Sequence, residues 1–381
     1  MLTQLLAGFN KDVDTARVHR IALGAINTNQ LTVAIAVHAG VADGKLQRHL
    51  PAMGCRDPSA IASIRMGPVT AEVLARSRVP CADRALQTPS RCWVDNPGMN
   101  IQLLSDLHLE ANPDFAAIPA PGADLLVLAG DIGSYQTRRD GSVMAEPDWC
   151  LQRFSPLPQY AAWPVPVVYV PGNHEYDALD VDEAHAGLRA SCDRLGIQWL
   201  ERETQVFDGV RLIGTTLWSD YDALATQAPA KGPLRDPLAH RLHQRQKACR
   251  AANFYLSKMN GQRHGRLFDA AAMRELGLEC QHWLRQALAQ PFEGPTVVVT
   301  HFAPTLHSAD PRYGLSPGTA GFCNALDDLL PLADLWLHGH LHCPTDQRVG
   351  RCRIVANPLG YASKGEQALF RPTLTIDVEN R

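Results

Sequence analysis

Thr300-His301-Phe302-Ala303-Pro304 and, further on, His338-Gly339-His340-Leu341-His342 decide how this chain is read. Three earlier blocks share their character: Asp106-Leu107-His108, Gly130-Asp131 and Gly172-Asn173-His174-Glu175. Each of the five follows an apolar, strand-like run and presents Asp, Asn or His where a loop would begin. Together they supply Asp106, His108, Asp131, Asn173, His301, His340 and His342, all nitrogen or oxygen donors. Two divalent ions need about that many ligands when one carboxylate is shared and water fills the open positions. The expectation is a dinuclear centre in which one carboxylate is shared.

The runs leading into these blocks set the fold class. Residues 125–129 are apolar throughout, as in a strand covered on both faces. Residues 101–104 read as a short, mostly apolar strand and 166–170 as a third buried run. Three strand ends therefore aim at one point, the usual place for a site in an open α/β sheet. A helix is predicted over 181–195. The Asp208-Gly209 turn between 204–207 and 210–216 signals a hairpin. Residues 218–291 are polar and helix-prone. Within them an amphipathic helix over 273–288 places Leu276, Leu278, Cys280, Trp283, Leu284 and Leu288 on its apolar face. The part before it, about 239–266, is expected to form a cap over the site that sets substrate choice. Residues 296–300, 332–337, 352–356 and 372–378 read as closing strands.

The whole chain has 381 residues, 45% hydrophobic and 20% charged, the balance of an ordinary folded protein. That length suits two domains, or one large α/β domain with an appendage. Net charge is −3, but residues 1–98 carry 11 Lys/Arg against 7 Asp/Glu, a net of +4, which leaves −7 for the remainder. An acidic domain argues against long nucleic acid as a partner. The ten cysteines form no C-x-x-C pair and read as reduced thiols of a cytoplasmic protein. Met1 to Leu6 lacks the features of a signal peptide. The most apolar early run, 31–42, is well short of the ~20 residues that span a bilayer. Within residues 1–98 a strand is expected at 31–37 and a short helix at 71–76. Three readings of this segment stand: an accessory domain, a poorly ordered extension, or a region upstream of a natural start at Met99.

In order and spacing the five blocks resemble the signature of the calcineurin-like metallophosphoesterases, D-x-H…G-D…G-N-H-[ED]…H…G-H-x-H. The resemblance runs from about Met99 to the C-terminus. It includes Asn357-Pro358-Leu359-Gly360-Tyr361, which is similar to an N-P-R-G-Y stretch of uncharacterised bacterial members. It implies a four-layer αββα sandwich, two mixed sheets flanked by helices, following the N-terminal extension 1–98. It also implies a dinuclear metal-dependent phosphoric ester hydrolase in which a metal-activated hydroxide attacks a phosphate ester. One ion would be held by Asp106, His108, Asp131 and His342, the other by Asp131, Asn173, His301 and His340. His174 resembles the family's non-ligand histidine, which contacts phosphate and protonates the leaving group.

Two M²⁺ ions against two carboxylates leave a formal +2, attractive to phosphate and hydroxide together. The thiol-free donor set suits Mn²⁺, Fe²⁺, Zn²⁺ or Co²⁺ without ranking them. Asn173, His174 and His307 are the candidate substrate contacts, with Arg312 and Tyr313 as further possibilities. His338 reads as a strand-end residue and Glu175 as one that orients its loop. His19, His38, His49, His185, His240, His243, His264 and His282 read as packing or surface residues.

The protein-phosphatase branch carries G-D-x-x-D-R-G and R-G-N-H-E. Here Ser134 and Tyr135 follow in the first block and Pro171 precedes the second, so two phosphate-gripping arginines are absent. A small phosphodiester is therefore the expected substrate. A phosphomonoesterase, a nuclease or a non-catalytic scaffold are the alternatives. Oligomeric state has no signal in the sequence.

Overall fold

A computed structural model describes residues 98–225 and 236–379, all within one compact unit spanning Pro89–Arg381. The strand expected at 31–37 and the helix at 71–76 lie outside the described residues. The first half contains β1 (Met99–Leu104), β2 (Leu125–Ala129), β3 (Val167–Val170), α1 (Val181–Leu195), β4 (Gln198–Trp199), β5 (Glu203–Phe207) and β6 (Val210–Thr215). The second contains α2 (Pro237–Met259), β7 (Gln262–Arg263), β8 (Arg266–Leu267), α3 (Ala270–Leu288), β9 (Thr296–Thr300), β10 (Leu335–His338), β11 (Thr345–Val349), β12 (Cys352–Ala356) and β13 (Thr375–Val378).

Two mixed sheets result. The first runs β13-β1-β2-β3-β4 and the second β11-β12-β10-β9-β6-β5. Inner strands pair in parallel, while β13, β11 and β5 pair antiparallel at the edges. Successive side chains of a strand point to opposite faces, and the burial follows that rule. Ile101, Leu103, Val127 and Val168 of one sheet share a buried cluster with Leu212, Val297, Leu337 and Val355 of the other. Their neighbours Leu126, Leu128, Tyr169, Val298 and Trp336 turn outward to a second cluster that includes Leu188 of α1 and Leu284 of α3. The layering is helix, sheet, sheet, helix.

Helix ends are set by local chemistry. Asp180 accepts hydrogen bonds from Asp182 and Glu183 N–H to start α1, and Gly196 ends it in the left-handed conformation at φ 68°. Asp269 caps α3 the same way, through Ala271 and Ala272 N–H. This helix therefore begins before the expected 273. Its buried face also differs from the expectation, because Leu278 is 41% exposed. Gly277 takes the contact position: a Cβ there would meet the backbone oxygens of Trp218 and Ser219.

Helix α2 differs in kind. It carries Arg241, Arg245, Lys247, Arg250 and Lys258 with no Asp or Glu, and buries only Ala248. Asp222 holds Arg241, Arg245 and Arg274 together. At its C-terminal end Met259 O accepts from Ala178 N–H at 2.9 Å. Leu256 and Met259 thereby line a small cavity with Asn173 and Asp177. Among the described residues no helix is long and apolar enough to cross a membrane.

Candidate metal centre

The loops leaving β1, β2 and β10 have unusual backbones. Asp106 (φ 53°), His108 (φ 45°), Asp131 (φ 54°), His340 (φ 72°) and His342 (φ 47°) all lie in the left-handed region. That conformation costs a non-glycine residue roughly 1–2 kcal/mol, and strain of this kind gathers at functional sites. Five of the seven expected ligands carry it. The adjoining glycines provide room: a Cβ on Gly130 would collide with His301 Nδ1, on Gly172 with Asp131 Oδ1, and on Gly339 with Asp106 Oδ2.

The seven side chains converge. Asp106, His108 and His342 form one group of donors within 4.8 Å of one another, and Asp131, His301 and His340 form another. His108 Nε2 and His342 Nε2 are 3.0 Å apart. His301 Nε2 lies 3.1 Å from Asn173 Oδ1 and 3.2 Å from Asp131 Oδ2. Three imidazoles are oriented through their other nitrogen. His301 Nδ1–H donates to Ala129 O at 2.9 Å, while His342 Nδ1 meets Glu366 Oε2 at 2.7 Å and His108 Nδ1 meets Glu110 Oε1 at 3.1 Å. Bonds of this type turn Nε2 toward an ion and raise its basicity.

The carboxylates supply the test of fit. Asp106 Oδ1 accepts from His340 N–H and Asp131 Oδ1 from His174 N–H, both at 2.8 Å. Their Oδ2 atoms are buried and lack any hydrogen-bond partner. An orphaned buried carboxylate oxygen is costly unless another cation or donor faces it. Asp131 Oδ2 faces the Nε2 atoms of His301, His108 and His174 at 3.2, 3.8 and 4.0 Å. Orphaned oxygens, convergent imidazoles and a thiol-free donor set fit divalent cations.

The electrostatics point the same way. Burial opposes ionisation of Asp131, but the charges of His301 and His174 outweigh it and hold the carboxyl well below its usual range. Asp106 falls to about 2, burial being overcome by its bond and charge from His342. Burial likewise opposes charging of His301 and His342, yet Asp131 and Asp106 raise each to about 9. These protons occupy lone pairs that a cation would use, so metal binding must release them.

His174 is 16% exposed, and its Nε2 lies 4.0 Å from the orphaned Asp131 Oδ2, so that with His108 and Asp131 it forms a third donor group. Its Nδ1 is 2.5 Å from Asp177 Oδ2, an oxygen that also accepts from Ser134 Oγ at 3.3 Å. Burial is outweighed by Asp177 and Asp131, which raise His174 well above its ordinary value. Asp177 was not singled out from the sequence, although its spacing of three from His174 fits the 3₁₀ turn His174–Tyr176. Glu110 and Glu366 were also missed.

The remaining candidates separate clearly. Glu175 accepts from Gly172, Asp131 and Ile132 N–H at 2.8, 3.1 and 2.7 Å, tying two loops together. His338 meets Gly339 O through Nδ1 and Ser308 Oγ through Nε2, both at 3.0 Å, so neither nitrogen is left for an ion. His307 is exposed on the turn Leu306–Ser308 and pairs with Asp327 at 3.6 Å. Arg312 is bound to Asp310, and Tyr313 is 76% exposed. Among the described residues none of these three touches the donor cluster. Tyr361 does, against His108 and His342. Burial, with Glu110 and Asp131 nearby, raises its hydroxyl above the ordinary range.

Proteins similar to this chain are known. An uncharacterised protein, L509, of Acanthamoeba polyphaga mimivirus is 25% identical over 268 residues, covering 67% of this chain and 84% of the relative. The solved structure of a phosphopantetheinyl hydrolase from Mycobacterium tuberculosis shares the fold at 20% identity and a TM-score of 0.51, covering 74% of this chain and 96% of that one. Residues 99–344 match the family model of the calcineurin-like phosphoesterases. With that match spanning more than half of its length, the chain belongs to the calcineurin-like phosphoesterase family.

Proposed function

We propose that this chain is a metal-dependent phosphodiesterase for small substrates, working in the cytoplasm with two divalent ions. Asp106, His108, Asp131 and His342 would hold one ion, and Asp131, Asn173, His301 and His340 the other. Mn²⁺, Fe²⁺, Zn²⁺ and Co²⁺ all suit these donors. Such a pair polarises the phosphoryl group and lowers the pKa of water toward neutrality. The observation that carries the reading is Asp131 Oδ2, buried, unbonded and faced by three imidazole nitrogens.

The protein's own groups supply the proton chemistry. With Nδ1 fixed on Asp177, His174 presents Nε2 toward the cluster as the donor to the departing ester oxygen. Asp177 stabilises the imidazolium and holds its ring. It takes the supporting place that the G-D-x-x-D-R-G aspartate would hold in a protein phosphatase, with Ser134 steadying it. The missing arginines support a small substrate over a phosphoprotein. The fold shared with a phosphopantetheinyl hydrolase makes a phosphopantetheinyl ester one of the diesters to assay. Seven free thiols among the described residues support the cytoplasmic assignment.

A nuclease is the second reading, favoured by the uninterrupted positive charge of α2. A Mn²⁺-supplemented assay of bis-p-nitrophenyl phosphate, p-nitrophenyl phosphate and a single-stranded oligonucleotide separates these, with Asp131→Asn as control. Diester preference supports the proposal. Monoester-only turnover, or a preference for the oligonucleotide, replaces it with the corresponding alternative.

A further inference from the structure

We propose that Tyr361 is a substrate-contacting residue whose hydroxyl donates a hydrogen bond to a non-bridging phosphoryl oxygen at the metal centre. The inference rests on the phosphoesterase reading above and assigns a phosphate contact in a chain that lacks the two arginines. It starts from the segment Asn357-Pro358-Leu359-Gly360-Tyr361, which supplies no metal ligand.

The segment is built to hold that tyrosine still. Asn357 Nδ2 donates to Leu103 O and Arg371 O, both at 2.8 Å, and its Oδ1 accepts from Arg371 N–H at 3.1 Å. Leu359 N–H donates to Ser105 O at 3.1 Å and Gly360 N–H to Asp106 O at 2.9 Å, which ties the segment to the loop after β1. Gly360 sits at φ 69°, and a Cβ there would crowd Glu366. Glu366 Oε2 accepts from Tyr361 N–H at 2.9 Å while meeting His342 Nδ1 at 2.7 Å. One carboxylate thus positions a ligand and the tyrosine together.

The ring is clamped on its faces. It stacks on His108 with centroids 4.3 Å apart and planes 25° from parallel, and Lys364 Nζ lies 4.3 Å from its centroid. With His108 stacked on one face and Lys364 Nζ crowding the ring, the edge is the part most open to a substrate. The edge carries the hydroxyl, and Asp131, Asp177 and Asp106 are among the charged groups near it. A phenol is both donor and acceptor, neutral at pH 7. It can therefore bond a phosphoryl oxygen without adding charge to the site.

The test uses the metal-loaded full chain and Tyr361→Phe, which keeps the stacked ring and deletes the hydroxyl. Inorganic phosphate binding is read by calorimetry, bis-p-nitrophenyl phosphate turnover by kinetics, and metal content and thermal unfolding alongside. A hydrogen bond to a charged group predicts a loss of roughly tenfold to a hundredfold in phosphate affinity and in kcat/KM, with metal content and melting temperature unchanged. Wild-type phosphate affinity in the variant overturns the proposal. So does a loss of metal in Tyr361→Phe, which would place the hydroxyl's effect on the ligands. If the wild type binds phosphate more tightly than the variant but hydrolyses no ester, the tyrosine contact stands and the phosphoesterase reading falls.

Discussion

Raising the pH of metal-stripped protein from 6.5 to 9.5 removes protons from His301 and His342. Both lie beside buried carboxylates that raise them from 6.5 to about 9. A group whose folded-state pKa is raised adds stability that is complete below its unfolded value and disappears as pH climbs through the folded one. The window here is 6.5 to 9. A rise of that size corresponds to on the order of 3 kcal/mol for one histidine. The two are not additive, because both interact with Asp106. Asp106 and Asp131 are held low, so their contribution is lost only at acidic pH, whereas Glu175, which burial raises to about 8, adds to the loss within this window. Urea unfolding of chelator-treated protein at pH 6.5, 8 and 9.5 should therefore show a loss of at least about 3 kcal/mol. Adding Mn²⁺ should give its largest gain at the alkaline end, since cation and proton compete for the same lone pairs. Equal stability of the metal-free protein at pH 6.5 and 9.5 would refute the reasoning.

Four substitutions probe other parts. Asp177→Asn should lower kcat by roughly 10²–10⁴-fold, the range for a general acid, with metal content by mass spectrometry unchanged. Gly172→Ala should abolish metal binding in a calorimetric titration, because its Cβ collides with Asp131. His338→Ala should lower unfolding stability by about 1–3 kcal/mol through the stranded Ser308 hydroxyl, while the folded fraction keeps its full metal content. Phe322 is 40% exposed beside the His340 ring, with centroids 5.0 Å apart. Phe322→Ala should raise KM for an aryl diester by roughly the 10-fold or more of a lost apolar contact, and leave KM for a methyl ester nearly unchanged.

The sequence was most legible where an apolar run stops at a chemical residue. Residues 125–129, 296–300 and 352–356 are strands with those limits: the first is apolar throughout, and in the other two the buried apolar centre outweighs Thr296, Thr300 and Arg353. Helix α1 was equally clear, with an aspartate at one end and a glycine at the other. Strand β11 was missed because Thr345–Val349 is a polar edge strand with no apolar signal. The two-residue strands β4, β7 and β8 are too short to have a period. Leu278 was misplaced because periodicity counts apolar side chains, whereas packing at that turn requires the missing one of Gly277. The donors of the site were visible as motifs. Their orienting partners were not: Glu366 reaches His342 across 24 residues, a contact that only the fold creates.

In the proposed site Asp131 joins two cations. Anomalous diffraction from crystals grown with Mn²⁺ tests it most directly. Two peaks roughly 3.5–4 Å apart, with Asp131 Oδ2 between them and only weak or single occupancy in Asp131→Asn, are the predicted result. A lone peak away from Asp131, or two full peaks retained in Asp131→Asn, would contradict it.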